Sequence, residues 1–325
     1  MSASARGALR WFGGRLASAL IAIVGVVTAM FAAQRLAPGD PVDALLGEHA
    51  TAADRDALRE RLGLHESLAA QYGNLWLSVL DGSLGYTFEA GARRPVSSVI
   101  AERLPPTVEL AVSSVLVAIA IAFPLGVFAA TRAGGPADSL ALGAALIGVA
   151  VPSFWLGPAL IYLFAVRLQW LPDPVAPSTP AAALVLPALS LGAALAGKLT
   201  LMVRSSVLEV LREPFVLVAR AKGLSPRRVL WVHVLRNASL PVVTLLGLQL
   251  AALLTGALVT EKVFARPGVG TLLLEGVSRR DYAIVQGVVV VLALVYVAVN
   301  LLTDLAYALV DPRVRLGGGA TARGA

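Results

Sequence analysis

Side chains able to do chemistry are few and poorly placed for catalysis. The chain has no cysteine, which excludes disulfides, thiolate metal ligands and cysteine nucleophiles. His49, His65 and His233 are its only histidines, too scattered for a metal cluster. There is no Gly-x-x-x-x-Gly-Lys-Ser/Thr loop, no glycine-rich dinucleotide fingerprint and no Gly-x-Ser-x-Gly nucleophile motif. No pair of carboxylates sits inside an apolar run. Glu109 and Asp304 stand at the ends of such runs, where a cap or a snorkelling side chain is the ordinary explanation. Pumps and proton-coupled carriers use buried ionisable groups, and none is expected here. If this protein moves a solute uphill, the energy has to come from another subunit.

The densest polar chemistry is basic and lies between residues 198 and 236. Lys198, Arg204, Arg212, Arg220, Lys222, Arg227, Arg228 and Arg236 are opposed only by Glu209 and Glu213. Pro214 suits the first turn of a helix, and Phe215 to Lys222 has no breaker. Gly223 supplies a left-handed stop. Ser225-Pro226 then opens a second short helix carrying Arg227 to Arg236. Helical spacing puts Phe215, Val218, Ala219 and Lys222 on one face of the first helix. Such a face can lie on lipid headgroups or insert into a groove of a soluble partner. Periodicity does not choose between these two.

Apolar helices must position this loop. Of 325 residues, 57% are hydrophobic and 14% charged, against roughly 25% charged in soluble domains. Despite a net charge of +7, this composition excludes a nucleic-acid-binding domain and a disordered chain, and it argues against a cytosolic enzyme. Uncharged runs separate Arg15 from Arg35, Glu109 from Arg132, Asp138 from Arg167, Asp173 from Lys198, Arg236 from Glu261 and Asp281 from Asp304. A bilayer core takes about 20 apolar residues, so each run can span it. The expected fold is all-α and polytopic, with six transmembrane helices at 16–34, 107–131, 139–166, 184–203, 238–260 and 283–308. Pro152 is a candidate kink in the third, and Pro174, Pro177 and Pro180 delay the fourth to near Leu184. Buried helices of a soluble protein would alternate with polar faces, which these runs lack. The first run has Arg6, Arg10 and Arg15 before it and Val27-Thr28-Ala29 as a possible cleavage site. Apolar residues continue through Phe31, Ala32 and Ala33, so an uncleaved anchor is expected.

Lysine and arginine placement orients the spans. The tails 1–15 and 309–325 and the loop 204–237 are basic, and six spans put all three on one side, taken as cytoplasmic. Segment 35–106 and loop 261–282 then fall outside. Residues 51–64 read as an amphipathic helix ended by Gly63. A second helix covers Leu68–Leu80, with Tyr72, Leu75, Trp76 and Val79 on one face, and Asp81-Gly82-Ser83 stops it. The segment serves as a cap over the membrane helices, as a docking surface for an external partner, or as both. Arg55, Arg59 and Glu60 form its charged edge.

Ala219-Arg220-Ala221-Lys222-Gly223-Leu224-Ser225, then His233, Leu235-Arg236-Asn237-Ala238 and Leu240-Pro241, resembles the coupling loop of ABC importer permeases of the dipeptide, oligopeptide and nickel branch. An ordered set of further motifs from about residue 9 to 316 resembles the same branch. It comprises Pro38-Gly39-Asp40-Pro41, Gly82-Ser83-Leu84-Gly85, Arg103-Leu104-Pro105-Pro106-Thr107 and Pro152-Ser153-Phe154-Trp155-Leu156-Gly157. Val263-Phe264 with Pro267-Gly268, Arg280-Asp281-Tyr282, Val285-Gln286-Gly287 and Asp311-Pro312-Arg313 complete it. The large external segment after the first span is similar to the peptide permease B type. One departure stands out. The broad importer motif begins Glu-Ala-Ala, and Leu217, Val218 and Ala219 occupy those places here, so the glutamate is missing.

The resemblance implies a type I ABC importer permease that forms half of a translocation pore. It implies a second homologous permease, two cytoplasmic ATPases that hold ATP and magnesium, and an extracytoplasmic substrate-binding protein. No cofactor is then bound by this chain. It assigns ATPase contact to Phe215, Val218, Ala219, Arg220, Ala221, Lys222 and Gly223, and makes Arg55, Arg59 and Glu60 candidates for contact with the binding protein. Its location is a bacterial or archaeal cytoplasmic membrane, with both termini cytoplasmic. Di- and oligopeptides are the expected substrates, with nickel chelates, glutathione or another small solute as alternatives. An independent secondary transporter or channel would show an internal repeat around a midplane site, and a membrane enzyme would show clustered catalytic groups. Neither pattern is found in the sequence.

Overall fold

The computed structural model describes residues 3–36, 42, 46, 51–89, 92–172, 174 and 179–310. The motifs at 38–41 and 311–313 and most of the expected tail 309–325 lie outside the described residues. In chain order the elements are α1 (Ala3–Leu36), α2 (Ala52–Arg61), α3 (Leu68–Leu80), β1 (Tyr86–Glu89), β2 (Ala92–Pro95), α4 (Val96–Thr131), α5 (Pro136–Ala150) and α6 (Ser153–Leu160). They continue with α7 (Pro180–Leu211), α8 (Pro214–Ala221), α9 (Pro226–Arg228), α10 (Leu235–Gly256), α11 (Leu258–Val263), α12 (Val269–Ser278) and α13 (Tyr282–Val310). Five helical stretches are long and apolar enough to cross a membrane, and a bent pair makes a sixth candidate.

That bent pair corrects the third expected span. Residues 139–166 are not one continuous helix, and the break falls at the expected Pro152. α5 ends at Ala150, and α6 with its π-helical continuation Ile161–Arg167 leaves at 100° to it. Proline disfavours a helical conformation in the residue before it, and Val151 is accordingly extended, with ψ of 119°. Pro152 offers no N–H to continue the ladder. The second span also differs, because its helix begins at Val96 and Arg103 to Thr107 lie within it. α7 starts at Pro180, with the Thr179 hydroxyl accepting from the Ala182 N–H at 3.2 Å.

The chain folds as two compact units. One is built mainly on residues 108–265, the other on 12–107 and 266–297. In the first unit α7 is the central element. Leu195, Leu199, Val203 and Val207 are buried against Ala118 and Ala122 of α4, Val216 of α8 and Val242 of α10. Lipid tails are as apolar as leucine, so association rests on close packing of small residues. A Cβ at Gly192 would stand 2.8 Å from the Ser114 carbonyl oxygen, and one at Gly197 would collide with the Ala145 carbonyl oxygen. Only glycine lets these backbones approach so closely.

An ion pair joins the beginning of α5 to α7. Arg204 donates from Nε to Asp138 Oδ1 at 2.6 Å and from Nη2 to Oδ2 at 2.7 Å. The Gly134 N–H adds a third hydrogen bond to Oδ2 at 2.9 Å. Asp138 is buried, as is Glu261 on α11. These two acids correct the expectation that no ionisable group is buried near the spans.

In the second unit α2 is capped reciprocally. The Asp54 N–H donates to the Thr51 hydroxyl, and the Thr51 N–H and hydroxyl donate to the Asp54 carboxylate. The hydroxyl above all, then the amide, holds the Asp54 carboxyl below its ordinary range. The α3 face expected from spacing packs inward. Leu75 is buried with Ile23, Val27 and Val290, and Trp76 and Val79 lie against them. The Tyr72 hydroxyl meets that of Thr28 at 2.7 Å. The antiparallel hairpin β1–β2, with Thr87 opposite Arg94, is an element that the all-helical expectation lacked.

Candidate functional site

α8 forms where the sequence places it. Glu213 is extended and Pro214 opens the helix. Its end is a complete Schellman motif. Gly223 has φ of +78°, its N–H donates to the Arg220 carbonyl at 2.9 Å, and the Leu224 N–H donates to the Ala219 carbonyl at 3.3 Å. Leu224 packs on the core cluster that contains Ala219. The Ser225 hydroxyl then accepts from the Arg228 N–H at 3.4 Å, capping the next turn.

The second short helix expected over 227–236 does not stand alone. α9 runs through π-helical Val229–Val234 into α10, and one apolar helix extends over Pro226–Leu254. Val229 and Val234 are buried in the same cluster as Val216. These contacts fix α8 against the rest of its unit.

The buried face of α8 carries Val216 and Ala219, at 1% and 7% exposure. Ala219 therefore points into its own protein, which corrects its assignment to the outward contact face. Phe215 and Val218 are exposed, and Leu217, which spacing missed, is the most exposed large apolar residue of the helix at 72%. Trp231 lies on the following segment at 69% exposure. Arg220, Ala221, Lys222, Gly223, Arg227 and Arg228 are exposed around this apolar tip. The only sequence signal for Leu217 was that α8 is apolar on more than one face, and a helix of eight residues is too short for periodicity to rank the faces. A cleft of about 480 Å³ adjoins the tip, lined by Arg204, Glu209, Arg212 and Glu213 among others.

The candidates Arg55, Arg59 and Glu60 all lie on α2. Glu60 is exposed, whereas Arg55 and Arg59 are half-buried. Arg59 Nη1 lies 3.5 Å from the Asp56 carboxylate.

Residues 122–316 match the model of the family described as binding-protein-dependent transport system inner membrane component. The chain belongs to this family. It is a permease subunit of a transport system, a multi-pass protein of the inner membrane. It is 38% identical to the probable peptide ABC transporter permease protein y4tP of Sinorhizobium fredii (strain NGR234), over 91% of this chain and 96% of that protein. It is equally 38% identical to the dipeptide transport system permease protein DppB of Escherichia coli (strain K12), over 93% and 97%. The glutathione transport system permease protein GsiC of Salmonella typhimurium (strain LT2) is 39% identical, over 90% and 94%. The fold also resembles a chain in the inward-facing structures of the MetNI methionine ABC transporter. There the TM-scores are 0.54 and 0.55 at 18% identity, over 67% of this chain and 98% of that one. The permease thus has a type I ABC importer membrane-subunit fold.

Proposed function

We propose that this permease forms half of the pore of an ATP-driven peptide importer and receives the ATPase stroke on α8. The observation that carries the coupling role is the tip of Phe215, Leu217 and Val218. It is exposed, held rigidly from behind by Val216 and Ala219, and ringed by Arg220 and Lys222. An amphipathic helix of this kind inserts its apolar residues into a groove, and its basic rim steers association. Names of relatives at 38% identity support peptides as the cargo.

Two cytoplasmic ATPases supply ATP and magnesium, a second homologous permease completes the pore, and an external binding protein delivers substrate. This chain itself is not an enzyme. Both termini and α8 are cytoplasmic, and α2, α3 and the hairpin are external. Glu60 leads the charged edge that meets the binding protein, with Arg55 and Arg59 behind it. Coupling is a difference in contact between two states of the complex, with no chemical step in this subunit.

Glutathione is a second reading, favoured by the 39% identical relative. The test is uptake by the complete complex in proteoliposomes, with labelled dipeptide and labelled glutathione in competition. Saturable, ATP-dependent dipeptide entry that glutathione does not inhibit is the expected result. Preferential glutathione entry would replace the peptide assignment. ATP-independent uptake by the chain alone would overturn the importer reading.

A further inference from the structure

Arg35, Arg61, Arg93 and Arg280 line one cavity of about 220 Å³, within the unit of residues 12–107 and 266–297. Among the described residues Asp281 is the only acid in its lining. That acid is already engaged. Thr87 donates its hydroxyl to Asp281 Oδ2, and the Ile284 N–H donates to Oδ1 at 3.1 Å, capping α13. None of the four arginines makes an ion pair among the described residues. Arg93 stacks over the Tyr86 ring at 3.8 Å and Arg35 over that of Tyr282 at 5.1 Å. Stacking leaves the N–H edge of Arg93 to donate, whereas Arg35 already donates from Nη2 to the Gln71 side-chain oxygen. Arg35 Nε is buried without a hydrogen-bond partner among the described residues.

A backbone feature points the same way. α12 ends in a Schellman motif, with the Arg280 N–H on the Val277 carbonyl and the Asp281 N–H on the Gly276 carbonyl. Arg280 fills the left-handed position, with φ of +54°. Glycine is the usual residue there because a Cβ is penalised. An arginine at this position strains the backbone, and it is one of the residues that line the cavity. Stored strain of this kind clusters at ligand sites.

We propose that this cavity binds an oxyanion group, a carboxylate or a phosphate, through several guanidinium donors. Four cations set against one engaged carboxylate leave a positive field that a zwitterion's ammonium end would not relieve, whereas an anionic oxygen cluster would. Guanidinium forks suit carboxylate and phosphate geometry. Two sources share that chemistry: the terminal carboxylate of a peptide and the phosphate of a phospholipid headgroup. Only the peptide source rests on the transport reading above. Phosphate binding by the chain alone does not.

The test uses the full chain in nanodiscs of phosphatidylcholine, with thermal unfolding followed against inorganic phosphate. Sodium chloride of matched ionic strength is the control. Phosphate should stabilise the wild-type chain beyond that control. Arg280→Gly should fold at least as well, since glycine suits the backbone, and should bind phosphate about tenfold more weakly or worse, as expected for loss of a charged hydrogen-bond donor. Arg61→Gln, on the exposed end of α2, should weaken it similarly and guards against a folding defect in the first variant. Competition by Ala-Ala but not by its C-terminal amide identifies a peptide carboxylate. Competition by phosphatidylglycerol identifies a headgroup. A phosphate response equal to that of chloride, or one undiminished in both variants, overturns the site.

Discussion

Gly197 offers a quantitative test of how the first unit is held together. A Cβ there would collide with the Ala145 carbonyl oxygen and stand 2.8 Å from Val149 Cγ2 and 3.0 Å from the Val149 nitrogen. Two of these neighbours are backbone atoms, so no rotamer change relieves them. Ordinary carbon contacts sit at about 3.5–4.0 Å, so α5 and α7 must part by roughly 1 Å. Overpacking of this kind costs about 1–3 kcal/mol, and backbone opposition argues for the upper end. Alanine returns about 1 kcal/mol through helix propensity. The net destabilisation for Gly197→Ala is therefore about 2 kcal/mol. Gly143, on the same α5, has nothing within 4 Å of a built Cβ. Gly143→Ala should gain about 0.5–1 kcal/mol from propensity alone. The two identical chemical changes should thus differ by about 3 kcal/mol, with opposite signs. Unfolding of the purified permease in mixed micelles, titrated with denaturing detergent, measures both. Adding Val149→Ala should rescue Gly197→Ala only in part, because the carbonyl clash remains. A Gly197→Ala chain as stable as Gly143→Ala would refute the close-approach argument.

Four further tests concern α8 and its stop, the orientation of the chain and the charged edge of α2. Gly223→Val should lower substrate-stimulated ATPase activity of the assembled complex while membrane insertion survives. Nothing lies within 4 Å of a Cβ at Gly223, so the penalty is conformational, about 1–2 kcal/mol or more, and Gly223→Asn should be tolerated better. Leu217→Asp should release the ATPases in pull-down from detergent without changing the thermal stability of the chain, because Leu217 is 72% exposed; loss of stability would place it inside. Cysteines introduced one at a time into this cysteine-free chain test orientation: an impermeant reagent in intact cells should reach Glu66→Cys and spare Arg227→Cys. Glu60→Lys should change the association rate of the binding protein at low ionic strength and leave basal ATPase activity alone.

Charge gaps located the apolar helices because a bilayer excludes charge over a fixed length. They could not see the break at Val151, since no charge marks it. The signal there was Pro152, and proline alone does not separate a kink within one helix from a 100° turn between two. Strands β1 and β2 were missed for a related reason. β2 carries Arg93, Arg94 and Pro95 and gives no apolar alternation, and the alternation of Tyr86-Thr87-Phe88-Glu89 in β1 is only four residues long, so pairing defines them. Asp138 looked like the end of an apolar run because its partner, Arg204, is 66 residues away in sequence. Its burial depends on a fork geometry that only the packed α5–α7 pair creates.

The coupling loop shows where local chemistry does decide structure and where it stops. Pro214, Gly223 and Ser225-Pro226 act through the backbone within a few residues, so start, stop and restart were all legible. The direction of each α8 side chain was not. Val216 and Ala219 are turned inward by Val229 and Val234, which come from the next helix. Choosing Phe215, Val218 and Ala219 as one face assumed that the apolar face seeks a partner. In fact two apolar faces share eight residues, one consumed by the fold and one left at the surface. A helix that only lay on its own protein would need the first alone. The second, with Leu217 at its centre, is the part of α8 that internal packing does not explain, and it is the part that the proposed ATPase contact would use.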